Sequence, residues 1–442
     1  METRRVLDVT EFIDTAGIRP RQWLVVLLCG LVALLDGLDV QSIGLAAPLM
    51  GPVLHIPPQS FGVVFSAALA GLALGAFALG PVADRIGRKG ILIASMLCFG
   101  LFTLATAYAT GFTDLMVYRF LAGVGLGGAM PSFISLASEY VPGQRRAAVV
   151  SLLWAGFPLG GALGGLIGSR LIPAYGWHSI FLVGGTAPLV LALVLAAALP
   201  ESVAFFANRG GRTERIRRTL ARMFPAADFS AAVEFTVRQE AKSKGSVGQL
   251  FADGRAGGTI LLWIAFFFAF MALVTNSAWT PLLLRNLGIS VADSALALAA
   301  YNFASVFGSA AAGVLVARFG APLILSATIA IGAGAYALIG WSAPSVGVIV
   351  GAEALFGLLL GCGSSGLIGL GATFYPSAIR STGIGWATGI GRLGSFCGPL
   401  IVGGLIKVPL SEASIFMVVA ALTVAGALAC LPMGSRREVP HT

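Results

Sequence analysis

The sequence predicts an all-α membrane protein: twelve transmembrane helices in two pseudo-symmetric six-helix halves. Three observations carry that expectation: the composition, the spacing of the apolar runs and an internal repeat. Of the 442 residues, 57 % are hydrophobic and only 11 % are charged, and the mean hydropathy is +0.91. Ordinary soluble domains carry about 25 % charged residues, so this chain cannot clothe a water-facing surface of its size. A helical span needs about 20 mainly apolar residues, and helices suit lipid because they satisfy their own backbone groups.

Apolar windows fall at 23–49, 60–83, 90–110, 114–137, 146–171 and 177–199, then at 257–283, 292–316, 321–342, 346–372, 381–406 and 412–432. The polar stretch between the sets divides the chain into a half at 1–199, a central loop at 200–255 and a half at 256–442. The first 22 residues carry charges of both signs. The apolar run after them exceeds a signal-peptide core, so the first window is expected to stay as an anchor. All five cysteines lie in apolar runs, which reads as packing and not as a disulfide framework. The three histidines, His55, His178 and His441, show no metal-ligand spacing. No metal or cofactor is expected.

Basic residues set the orientation. Of 28 Lys and Arg, 23 fall on the side that holds both termini and the central loop; Arg170, Arg285 and Lys407 face the other side, and Arg119 and Arg392 lie within spans. Basic loops stay cytoplasmic. The expectation is a multi-pass membrane protein with both termini cytoplasmic. The basic run GRTERIRRTLARMF then reads as a cytoplasmic loop, and no nucleic-acid partner is expected.

The halves repeat each other. Arg119, Gly123 and Gly127 recur as Glu353, Gly357 and Gly361, an offset of 234 (353 minus 119). The same offset links Pro142 to Pro376, Arg146 to Arg380, Gly160 to Gly394 and Gly164 to Gly398. An offset of 233 links Pro48 to Pro281, and Gly80, Arg85 and Gly87 to Gly313, Arg318 and Gly320. Two parallel repeats imply a midplane cavity exposed to each side in turn. Glycines four apart let backbones approach.

Ionisable residues inside spans are costly and mark function by default. Here they are Asp36, Asp39, Arg119, Glu353 and Arg392. Asp36 and Asp39 stand about 60° apart on one helix face. By helix rise, Asp39 lies about 15 Å and Arg119 about 9 Å below the same surface. Arg119 is therefore expected to pair with Asp39 rather than Asp36, either as a structural clasp or as a proton switch. Glu353 is open between a second titrating site, an arginine pair and a structural hydrogen bond. Arg392 is open between an anionic substrate and a fixed pair with Glu353 or Asp36.

GPVADRIGRKG, Gly80 to Gly90, resembles the loop between helices 2 and 3 of the major facilitator superfamily, and the twelve-span layout extends the likeness over nearly the whole chain. The resemblance implies a gating set of Gly80, Asp84, Arg85, Gly87, Arg88, Lys89, Glu139, Arg145, Arg146 and Arg380, with Asp84 latching the halves. The second copy, GVLVARFGAP, carries Ala317 where the first has Asp84. Further stretches, DGLD at Asp36–Asp39, RFLAGVGLGGAMP at Arg119–Pro131 and FYPSAIRSTGIGWATGIGRLGSFCGP at Phe374–Pro399, resemble the aromatic acid:proton symporters. That implies import of a hydroxybenzoate-like carboxylate with protons by a monomer driven by the proton gradient. It implies transport roles for Asp36, Asp39, Arg119 and Arg392. Helix 10 departs from the family pattern, with Ser364 and Ile368 where many members have Gln and Asn.

For such a substrate, Trp154, Phe157, Trp279, Tyr301, Phe303 and Trp386 could stack on the ring. Asn276, Asn302 and Ser364 could meet its substituents. Sugar or other organic-acid symport, a proton-driven exporter and a non-transporting sensor are the competing readings. Arg392 is wasted on a neutral sugar, and GFPLGGALGG matches an exporter's helix 5 weakly. No nucleophile–base or metal set suggests an enzyme.

Overall fold

The structure, a computed structural model, describes residues 6–208, 213–225, 227, 229, 234–237, 246–376 and 378–433. Among these the elements run β1 (Val6–Asp8), α1 (Val9–Ala16), α2 (Pro20–Val53), α3 (Phe61–Ile86), α4 (Arg88–Thr106), α5 (Phe112–Glu139), α6 (Gly143–Tyr175) and α7 (His178–Ala198). There follow α8 (Val203–Asn208), α9 (Thr213–Met223), β2 (Glu234–Thr236), α10 (Ala256–Asn286), α11 (Val291–Phe319), α12 (Ala321–Trp341), α13 (Val346–Phe374), α14 (Arg380–Leu405) and α15 (Glu412–Cys430).

The twelve long helices stand at the twelve expected windows. Eleven of them are long and apolar enough to cross a membrane by length and composition. The exception is α14, whose run RSTGIGWATGIGRLGSFCGP is diluted by Gly, Ser and Thr and carries Arg392. It nevertheless packs in the bundle, on α10 and α3.

The sequence repeat is also a packing repeat. In the first half α3 packs on α5, α2 on α6 and α4 on both α5 and α7; in the second, α11 packs on α13, α10 on α14 and α12 on both α13 and α15. Glycines make these contacts at matching places. A Cβ at Gly123 would strike the Ala68 carbonyl on α3, and one at Gly357 would strike the Tyr301 carbonyl on α11. Likewise Gly160 faces the Leu34 carbonyl on α2, and Gly394 faces the Phe267 carbonyl on α10. Gly160→Val would force α6 from α2. We expect a loss of about 1–3 kcal/mol for such overpacking, measured as a lower unfolding midpoint in detergent; an unchanged midpoint would show that the contact can relax.

The halves meet away from the termini. Gly44 on α2 abuts the Ser277 and Ala278 carbonyls on α10, and Gly62 on α3 abuts the Pro399 carbonyl on α14. Ser66 Oγ donates to the Phe396 carbonyl at 2.8 Å, and Phe65 meets Trp279 edge-on at 5.4 Å. Gly161 and Gly165 of α6 face Asn302 and Ala295 of α11. Trp154 lies on that same α6 face, seven residues closer to the termini, yet is 46 % exposed. These contacts between the halves lie toward the far end of the bundle.

The termini end holds more order than a polar connector. β1 pairs in parallel with β2, Val6 opposite Glu234. Asp8 caps α1, its carboxylate accepting from the Thr10 amide at 2.8 Å. Val9 and Ile13 share an apolar cluster with Ile216, Leu220, Met223, Phe224 and Phe235, and Phe12 meets Phe224 and Phe229 edge-on. Asp14 accepts from the Gly143 amide at 2.7 Å, which ties this cap to the start of α6.

Candidate functional site

The acidic stretch lies near the middle of α2. At Gly37 a Cβ would collide with the Phe157 carbonyl, so the glycine between the two acids is what lets α6 close on α2. Asp39 turns toward α5. Its Oδ1 accepts from Arg119 Nη1 at 2.9 Å and its Oδ2 from Nη2 at 2.5 Å. Thr103 of α4 donates to the same carboxylate at 3.4 Å. Arg119 is 2 % and Asp39 4 % exposed. A buried pair survives in this setting because the fork satisfies both charges at once. The pairing expected from helix heights is the one observed.

Asp36 is equally buried, at 3 %, but it has no such partner. Its Oδ1 accepts no hydrogen bond. Asp39 stands one turn along the same helix. Arg392 makes no ion pair among the described residues. Its Nη2 donates to Met130 Sδ at 3.0 Å, so α5 and α14 meet here across the two halves. Neither fixed pair considered for Arg392 is formed.

Glu353 sits at the repeat position of Arg119, fully buried. No arginine meets it. Its Oε2 accepts from Asn276 Nδ2 at 3.0 Å, and its Oε1 accepts nothing. Thr280 donates to Asn276 Oδ1 at 2.7 Å and lies 3.5 Å from the Tyr336 hydroxyl. The second half thus joins α10 to α13 where the first joins α2 to α5, with an amide–acid bond in place of a charge pair.

Several residues expected to meet a ring are engaged elsewhere. Asn276 is spent on Glu353 and Thr280. Trp279 is fully buried; its Nε1 donates to the Pro399 carbonyl at 3.1 Å, and it helps to close the far end instead of offering a face. Tyr301 is buried against Phe356. Asn302 donates to its own helix at Leu298, 2.8 Å, and fills the space beside Gly161. Ser364 likewise bonds its own helix, at Gly361. Phe303 meets Phe307 edge-on, and Trp386 stacks on Trp263 at 5.8 Å. Trp154 and Trp386 keep exposed surface, and Phe157 is half-buried.

The loop after α3 is a linked set. Arg88 bonds Asp84 at 3.1 Å and also pairs with Glu139 at the end of α5. Gly87 has φ +117°, and a Cβ there would meet the Glu201 carboxylate, which accepts from the Lys89 and Ser202 amides. Asp84 is 61 % exposed on its side chain. Its partner Arg88 lies within its own half, so among the described residues Asp84 does not bridge the halves. Arg145 and Arg380 are exposed at the starts of α6 and α14, and Gly80 and Arg85 lie on the last turns of α3. Arg146 bonds the Val141 carbonyl at 3.4 Å.

Three participants were missed in the sequence. Met130 and Thr103 read as packing residues, because a lone Met or Thr in an apolar helix usually is one. Glu201 carries its signal in Pro200-Glu201-Ser202, which marks the end of the sixth span but not its amide partners. Among the described residues no group of three or more His, Cys, Asp and Glu stands together to hold a metal ion.

Comparisons with known proteins place the chain in a family. Residues 29–285 and 261–441 match the Major Facilitator Superfamily. The 4-hydroxybenzoate transporter PcaK of Pseudomonas putida is 39 % identical over 89 % of this chain and 88 % of its own. Its namesake in Acinetobacter baylyi is 36 % identical over 99 % and 96 %, and a gallate transporter of Pseudomonas putida is 33 % identical over 98 % and 96 %. Among solved structures, a D-xylose-proton symporter superposes with a TM-score of 0.73 at 18 % identity, covering 94 % of this chain and 97 % of that one, which speaks to the fold alone. With its repeat, its buried charges and these relatives, the chain belongs to the Major Facilitator Superfamily, a family of transporters and not of enzymes, in the branch that contains the 4-hydroxybenzoate transporters.

Proposed function

We propose that the protein imports a hydroxybenzoate-like aromatic carboxylate with protons by alternating access, as a monomer in the bacterial inner membrane with both termini in the cytoplasm. The observation that carries this reading is Arg392: a guanidinium inside a span that reaches Met130 of the other half and makes no ion pair among the described residues. A guanidinium presents two parallel N–H donors that match a carboxylate. It offers nothing comparable to a neutral solute.

Asp36 then supplies the coupling. An ionised Asp36 and a substrate carboxylate repel each other. Once Asp36 is protonated, that repulsion is gone, so proton and anion bind together. Asp39 and Arg119 act one turn away. A proton on Asp39 weakens the fork to Arg119 and loosens α2 from α5. Glu353 is a third acid without a cation, and it serves as a second-half proton site. Coupling also solves the electrical problem, because an anion moving into a negative cell works against about 2.3 kcal/mol per 100 mV. One proton cancels that term and a second reverses it.

Uptake into energised vesicles tests this reading, with benzoates, phenylpropionates, other organic acids and sugars, with and without a protonophore. The expected result is accumulation of hydroxybenzoates that the protonophore abolishes. Accumulation of sugars alone, or protonophore-resistant accumulation, would sink it. Arg392→Lys keeps the charge but loses the fork. We expect it to weaken carboxylate affinity by roughly tenfold, one charge-assisted hydrogen bond, measured by competition for uptake.

A further inference from the structure

Hydroxyls inside helices commonly donate back to the carbonyl four residues earlier, as Ser42 does to Leu38, Ser132 to Gly128, Ser277 to Leu273 and Thr423 to Val419. Thr280 of α10 does otherwise. Its Oγ1 donates at 2.7 Å to the side-chain oxygen of Asn276, the residue four before it. The Asn276 nitrogen is thereby turned the other way, 3.0 Å from Glu353 Oε2. The two ends of one amide are committed to two neighbours. Asn276, Thr280 and Glu353 are all fully buried, and Glu353 Oε1 has no partner, so the charge state of Glu353 is met by Asn276 alone among the described residues.

We infer that Thr280 is a positioning residue: its hydroxyl fixes the Asn276 amide with the nitrogen toward Glu353, so that the second-half acid meets a donor and not an acceptor. This rests on the reading of Glu353 as a proton site. An amide can present either end. Its NH2 suits an ionised carboxylate, which only accepts, and its oxygen suits a protonated acid, which can donate. Held by Thr280, the amide gives the ionised form a charge-assisted bond, roughly twice as strong as a neutral one. Without that hydroxyl the amide can turn over, and its oxygen then takes the proton of a neutral Glu353. Thr280 therefore favours release of the proton, and its loss favours retention.

Tyr336 of α12 backs the threonine. Its hydroxyl lies 3.5 Å from Thr280 Oγ1, and its ring is held between Phe356 and Phe416. It stands at the repeat position of Thr103 (336 minus 103, 233), whose hydroxyl reaches Asp39 in the first half. Corresponding helices thus bring a hydroxyl to the buried acid cluster of each half. The helices packed on α13 are α10, α11, α12 and α14, and their other titratable groups are few. Tyr301 of α11, like Tyr336, lies against Phe356, one turn from Glu353, and tyrosine hydroxyls stay protonated where carboxyls titrate. Arg285, Asp293, Arg318 and Arg380 stand in first or last turns. α14 adds Cys397 and Arg392, which bonds Met130, and α13 itself adds Cys362, nine residues along.

The test is an infrared pH titration of the full chain in nanodiscs, reading the carbonyl stretch of protonated carboxyls. The signal lost in Glu353→Gln belongs to Glu353. Thr280→Val keeps the shape and removes the hydroxyl. The Glu353 midpoint should then move up by about one pH unit, tenfold in proton affinity and the scale of one hydrogen bond to a charged group. Thr280→Ala removes the same hydroxyl by truncation and should give the same rise. Thr280→Ser keeps the hydroxyl and should return the parent midpoint. An unmoved midpoint in the valine and alanine variants overturns the inference, and so does a serine variant that behaves like valine, which would mark the site as packing. Glu353→Gln separates the two levels. If it still accumulates substrate with protons, or if the parent shows no titrating Glu353 signal, the proton-site reading fails and this inference with it. If it loses accumulation while Thr280→Val keeps the parent midpoint, only the role of Thr280 fails.

Discussion

Arg119→Gln should abolish transport and cost the fold about 3–5 kcal/mol, the penalty for stranding one member of a buried ion pair. The reason is local. Arg119 supplies two of the three side-chain hydrogen bonds to Asp39, the third being a long one from Thr103. Both residues are sealed between α2, α4 and α5. Glutamine fills part of the space but cannot neutralise the carboxylate, which must then take a proton or draw in water. Thermal unfolding in detergent would read the loss. The double variant Asp39→Asn, Arg119→Gln removes both charges, and most of the stability should return while proton-driven uptake stays absent. If the double variant is no more stable than Arg119→Gln, the pair does not account for the destabilisation. If Arg119→Gln accumulates substrate normally, the clasp is dispensable.

Asp39→Asn should separate accumulation from exchange. Asparagine is close to the shape of a protonated aspartate, so the fork to Arg119 becomes a single weaker contact, as in the proposed proton-loaded state. The substitution leaves Arg119 buried without its counter-charge, so the protein should also be less stable than the parent. Proton-driven accumulation should disappear. Counterflow of labelled substrate between equal internal and external pools should persist at a reduced rate. Full accumulation by this variant would exclude Asp39 as the proton switch and leave Asp36 or Glu353 in that role.

Much of this was legible in one dimension. Membrane helices advertise themselves by length and apolarity, and the repeat needed only matched glycines and prolines. The Asp39–Arg119 pair followed from helix rise, because both ends of both helices could be placed by charge. α14 marks the edge of that approach. A span is expected there at 381–406, but Gly, Ser, Thr and Arg392 dilute its apolarity below that of the other eleven, and it takes its place in the bundle with its glycines packed against α10.

Side-chain direction was not legible. Trp279, Tyr301, Asn276 and Asn302 stand among inner-helix residues of suitable chemistry, and nothing in their spacing says that a neighbouring carbonyl, ring or acid already occupies them. The cap at the termini end was hidden for a different reason. Its contacts join residues 6–16 to residues 216–237, and short strands paired over such a separation leave no periodic signal.

The sequence by itself determined the solvent, the helix count, the two-fold repeat and which charges had to lie inside, since each follows from the cost of placing polar groups in hydrocarbon. The tertiary structure alone decided how those charges are used. It gave Arg119 to Asp39, left Glu353 with an amide, and set Arg392 against Met130 of the other half. The physical reason is that a buried charge must find a partner, but which partner depends on how two six-helix halves lean on each other, and that is a property of the packed bundle.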